Sequence, residues 1–101
     1  MAQITEEQVE RVREIVASIP PGKVTTYGDV AAEAGLSSAR IVGWIMRTDS
    51  ADLPWHRVIS AAGKPAPHLR TRQLENLRAE GVPVFDGRVD MKVARANLTE
   101  L

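Results

Sequence analysis

The sequence predicts one mainly α domain with small β elements, arranged as a winged-helix-like or helix-turn-helix unit. Three observations carry this. A length of 101 residues with 44% hydrophobic side chains suits one core and not two, so residues 1–101 are expected to form a single domain. Two short helical patterns meet at a glycine-containing turn, Gly35-Leu36-Ser37, which is the helix-turn-helix signature. The hairpin signal, at Asp86-Gly87, is flanked by short strands.

Each element follows from local chemistry. Thr5 can cap a first helix with Gln8 completing a capping box, and Val9, Val12, Ile15, Val16 and Ile19 recur at helical spacing. Pro20-Pro21-Gly22 stops that helix. Val24 to Tyr27 is β-branched and expected to be extended, after which Thr26 can cap a short helix through Ala34, ended by Gly35. Ser37 is expected to cap a second helix over 38–47, with Ile41, Val42, Ile45 and Met46 inward and Trp44 assigned to packing. A polar loop (48–54) leads to the apolar stretch Trp55 to Ile59, then to a flexible segment from Ala61 to Pro67. A third helix is expected from Arg70 or Thr71 to Ala79, with Leu74 and Leu77 inward and Gly81 at its end. The tail should form a hairpin, with strands 82–85 and 89–93.

Composition excludes several functions. The chain has no cysteine, which removes disulfides, thiolate nucleophiles and cysteine-based zinc sites, and its two histidines argue against a metal centre. No apolar run is long enough to span a membrane, and the acidic N-terminal stretch does not resemble a signal peptide, so a cytoplasmic location is expected. The net charge of zero is patterned. Residues 1–37 carry three bases and six acids, 38–78 seven bases and three acids, and 79–101 three bases and four acids. The basic middle (+4) permits a polyanion-binding face, although scattered surface arginines would give the same count.

The stretch Leu53-Pro54-Trp55-His56-Arg57-Val58-Ile59 resembles the active-site motif Pro-Cys-His-Arg-Val of the O6-alkylguanine-DNA alkyltransferases, with Trp55 in place of the cysteine. Residues 19–35, IPPGKVTTYGDVAAEAG, are similar to that family's IPxGxVxTYGxxAxxxG pattern. Ala39-Arg40-Ile41-Val42-Gly43 resembles its ARxVG helix, and Glu80-Gly81 the pair closing the next helix. The likeness spans roughly residues 4–82 in the family's order. A tryptophan at the cysteine position marks the alkyltransferase-like proteins, the branch that performs no alkyl transfer.

The resemblance implies a domain similar to the alkyltransferase C-terminal domain, which binds duplex DNA containing O6-alkylguanine through the minor groove and rotates the lesion into a pocket. Ser38, Ala39, Arg40 and Tyr27 would contact DNA, with Arg40 filling the vacated space; a surface phosphate contact is the alternative for Arg40. Trp55 and Tyr27 would line the lesion pocket, while Tyr27 could equally be a partly buried ring closing the helix-turn-helix. The family's arginine over the flipped base falls in the divergent 63–72 segment, where Arg70 ranks first and His68 second. His56, Glu80 and Arg57 are expected to persist as a structural network, because Trp55 offers a base no nucleophile to activate. No cofactor or metal is implied; the expected partners are lesion-bearing DNA and nucleotide excision repair proteins, with the chain a monomer and no membrane involved. Two other readings compete: a winged-helix transcription factor reading undamaged DNA, and a hydrolase using His56 and Glu80. Against the first, the second helix offers Ser38, Ala39 and Gly43 beside one arginine, which is little sequence code.

Overall fold

Two adjoining hydrophobic cores share a single two-stranded wall, as described for residues 4–101 in a computed structural model. Helix α1 (Glu6–Ser18) starts at the expected capping box, with Thr5 and Gln8 bonding reciprocally, and buries Val12, Ile15 and Val16. Strand β1 (Thr25–Thr26) runs directly into α2 (Tyr27–Glu33), because the Thr26 side chain accepts from the Asp29 amide and so caps the helix. Tyr27 is therefore the first helical residue and not the end of an extended segment.

The turn after α2 places Gly35 at φ +72°. The Gly35 amide donates to Ala32 O and the Leu36 amide to Ala31 O, the paired bonds that close a helix with a left-handed residue. Helix α3 (Ala39–Thr48) is capped by Ser38, not by Ser37, with Ser38 Oγ accepting from the Arg40 amide at 3.1 Å. Val42, Ile45 and Met46 pack with the buried residues of α1 and α2 as the first core. Trp44, expected to pack, instead stands 48% exposed, because it points away from the face that those three residues bury.

Strand β2 (Val58–Ile59) pairs in parallel with β1, Thr25 opposite Val58 and Thr26 opposite Ile59. Successive side chains on a strand point to opposite faces. Val58 accordingly enters the first core, and Ile59 enters the second with Val24, Leu77, Val82, Val89 and Ala94. Helix α4 (Arg70–Ala79) follows a 3-10 turn over Pro67–Leu69. It ends as α2 does: the Gly81 amide donates to Arg78 O and the Val82 amide to Leu77 O.

The hairpin forms from β3 (Val84–Phe85) and β4 (Arg88–Val89), with Asp86 and Gly87 both at positive φ as a two-residue turn requires. Its second strand stops at Val89, short of the expected Val93. Asp90 accepts from the Lys92 amide and caps a four-residue helix, α5 (Met91–Ala94), so local capping wins over strand propensity. The chain then returns to the helix-turn-helix. Val24 bridges Arg95, the Arg95 guanidinium grips the Asp29 carboxylate at 2.7 and 2.8 Å, and Leu98 packs on the first core.

Candidate nucleic-acid interface

Trp55, His56 and Arg57 form a 3-10 turn leading into β2, so the strand that separates the cores also fixes where these side chains project. The turn is clamped from three directions. Arg57 donates through Nε and a terminal nitrogen to the Glu80 carboxylate at 3.0 and 2.6 Å, and through its other terminal nitrogen to Ile19 O at 2.9 Å. His56 Nε2 lies 2.9 Å from Glu80 Oε2; an ionised carboxylate only accepts, so Nε2 carries the proton. Gln73, 3% exposed on α4, donates to His56 O at 3.0 Å and Val58 O at 2.9 Å.

Glu80 reaches this position because the left-handed Gly81 ends α4 there and turns the chain back. The Arg57 guanidinium, with help from His56, holds the Glu80 carboxyl down to about 2 against the opposing effect of burial. An acid held ionised by two donors is poorly suited to proton transfer at neutral pH. The network ties the end of α1, the Trp55 turn and the end of α4 into one rigid unit.

Trp55 packs against the first core, as does Tyr27, which puts the indole and the start of α2 on the same body. Burial raises the Tyr27 hydroxyl above its ordinary range, so it stays a neutral phenol. The His56 ring meets Trp55 edge-on with centroids 6.1 Å apart. The Arg72 guanidinium stands 5.4 Å from the indole centroid, within cation–π range. Arg70, at the start of α4, is instead drawn to the hairpin, where its guanidinium lies against Gly87. His68 sits exposed in the 3-10 turn before α4. Ser38 is committed to capping, while Ala39 and Arg40 are exposed in the first turn of α3.

Three contributors escaped the sequence reading. Gln73 and Arg72 sit in a helix whose apolar pattern pointed to Leu74 and Leu77; a glutamine on that same inward side is the signal for Gln73, and nothing in the sequence singles out Arg72. The third is Arg13. From α1 it donates to Asp49 O at 2.8 Å and to both Asp52 carboxylate oxygens at 3.1 and 2.6 Å, fastening the loop between α3 and Trp55. An open cleft of about 640 Å³ between α2 and the C-terminal segment, lined in part by Asp29, Glu33, Arg95 and Asn97, includes neither Trp55 nor Tyr27. Among the described residues no group of three or more His, Cys, Asp or Glu side chains could hold a metal ion, and no helix is long and apolar enough to cross a membrane.

Residues 7–82 match the family described as 6-O-methylguanine DNA methyltransferase, DNA binding domain. The "DNA base-flipping protein" of Escherichia coli is 45% identical over 95 residues, covering 87% of this chain and 73% of that protein. "Alkyltransferase-like protein 1" of Schizosaccharomyces pombe is 37% identical over 87 residues, covering 79% of this chain and 81% of the relative. In three dimensions the fold is similar to S. pombe Atl1 in complex with damaged DNA containing O6-carboxymethylguanine, with TM-score 0.84, 30% identity, and coverage of 94% of this chain and 99% of that one. It is also similar to the Mycobacterium tuberculosis OGT in complex with DNA, with TM-score 0.64, 29% identity, and coverage of 96% and 56%.

Proposed function

The chain belongs to the 6-O-methylguanine DNA methyltransferase DNA-binding-domain family, and on that premise we propose that it binds O6-alkylguanine in duplex DNA, flips the base and transfers no alkyl group. The observation that carries this reading is Trp55. An indole occupies the place of the nucleophile in a chain without cysteine, and the neighbouring His56–Glu80 pair is engaged by Arg57. A broad apolar ring offers van der Waals contact to an alkyl group and no atom to accept it.

In this reading α3 enters the minor groove, with Ala39 and Ser38 allowing close approach and Arg40 inserted where the guanine has left the stack. Extrusion costs a few kcal/mol, and less when the lesion has already weakened pairing, so the damaged base is favoured before any contact to the adduct. Tyr27 and Trp55 receive the flipped base. Arg72 covers the indole and is the first candidate to close over the base, with Arg70 and His68 as the neighbouring donors. His56, Arg57 and Glu80 hold the pocket floor in register. The bound, bent site is then presented to nucleotide excision repair by a monomer acting in the compartment that holds the DNA.

Competitive binding to matched duplexes carrying guanine, O6-methylguanine or a bulkier O6 adduct tests this directly. Preference for the modified duplexes is expected, with no labelled alkyl group recovered on the protein; equal affinities, or alkylated protein, overturn it. Arg40→Ala should raise the Kd for lesion DNA by about 5- to 30-fold, or about 1–2 kcal/mol, for loss of one inserted side chain. Arg72→Ala should weaken lesion binding by up to about tenfold and binding of undamaged DNA by less, since its guanidinium stands over the indole that receives the flipped base.

A further inference from the structure

The outward face of α3 carries an aromatic side chain that the lesion site does not use. Val42, Ile45 and Met46 face the core, which turns Arg40, Gly43, Trp44 and Arg47 to the opposite side at i, i+3, i+4 and i+7. Trp44 is 48% exposed, against 0–9% for the three core residues of the same helix. Among the described residues neither Arg40 nor Arg47 has a carboxylate partner, and α3 contains no acid. Around Gly43 the surface is open: an added Cβ would meet nothing within 4 Å.

A half-exposed indole flanked on one helix face by two guanidinium groups without carboxylate partners is matched to a polyanion with an apolar wall. Duplex DNA is such a surface: phosphates outside, sugar and base edges within the groove. We propose that Trp44 is a second groove-contacting side chain, lying one helical turn beyond Arg40 and packing against the duplex whether or not a lesion is present. The proposal rests on α3 being the DNA-facing helix. Arg40 would then act at the flipped nucleotide, whereas Trp44 and Arg47 supply lesion-independent grip, with Arg47 taking a phosphate.

Trp44→Ala, folded as judged by circular dichroism, should raise the Kd for lesion and undamaged duplexes by the same factor, about tenfold, leaving their ratio unchanged. Trp44→Phe should retain most of the affinity but lose most of the fluorescence quenching that undamaged duplex causes in the parent. Parental Kd values in the Trp44→Ala variant overturn the proposal. Quenching that tracks protein concentration without DNA also overturns it, since a second copy would then cover this face. If the parent binds both duplexes equally while Trp44→Ala weakens both, the lesion reading fails and the Trp44 contact stands.

Discussion

Glu80→Gln is expected to destabilise the fold by about 3 kcal/mol, a large share of the 5–15 kcal/mol typical of a domain this size. The carboxylate is 17% exposed and satisfies Arg57, 14% exposed, and His56 at once. Removing its charge leaves the buried guanidinium with only neutral acceptors, the new amide oxygen and Ile19 O, and turns an NH2 donor toward groups that themselves donate. Chemical denaturation measures the loss directly, and the melting midpoint should fall by roughly 4–8 °C per kcal/mol. The same network sets an acid limit. Glu80 is held at about 2 in the fold against 4.5 for a free side chain, so its stabilisation is fully present above pH 4.5 and is lost as pH falls toward 2. Denaturation of the parent between pH 5 and 2 should show that decline, and Glu80→Gln should flatten it. A variant as stable as the parent at pH 7 would mean that the network is solvated in solution.

Gly63→Ala is expected to cost more than about 2 kcal/mol. Gly63 is buried with φ +75°, a conformation that costs an L-residue about 1–2 kcal/mol by itself. An added Cβ would also stand on the Val89 carbonyl oxygen, which is backbone and cannot step aside, while Gly63 O accepts from the Val89 amide at 2.8 Å. This contact pins the loop after β2 to the hairpin, so the variant should also weaken lesion binding, as the segment leading to Arg70 and Arg72 loses its anchor. Thermal unfolding and lesion affinity should fall together. Gly35→Ala serves as the control: its φ of +72° is similar but an added Cβ meets nothing within 4 Å, so only the backbone cost applies.

The elements that were legible in the chain are those decided by neighbours in sequence. The Thr5–Gln8 box, the proline stop, Gly35, Gly81 and the Asp86-Gly87 turn all act within a few residues, and each holds in the fold. Where two local signals competed the outcome was harder to read. At residues 89–93 strand propensity lost to the Asp90 cap, and at residues 37–38 two serines offered the same chemistry, so only geometry chose Ser38. Trp55, His56, Arg57 and Glu80 were legible for another reason: their motifs resemble those of a known family, which names positions without saying what each side chain touches, and Gln73, Arg72 and Arg13 lie outside those motifs.

By itself the sequence determined the helical class, the family, and the absence of a nucleophile at position 55, since a missing cysteine is a covalent fact that no folding can alter. Tertiary structure alone decided that Arg13 pairs with Asp52 across 39 residues, that Arg72 and not Arg70 lies over the indole, and that Trp44 faces solvent. The reason is range. Capping and turn chemistry are settled over three or four residues of chain, whereas an ion pair, a cation–π contact or an exposed face depends on which distant elements meet. Here the meeting is fixed by a two-residue strand that places Val58 in one core and Ile59 in the other.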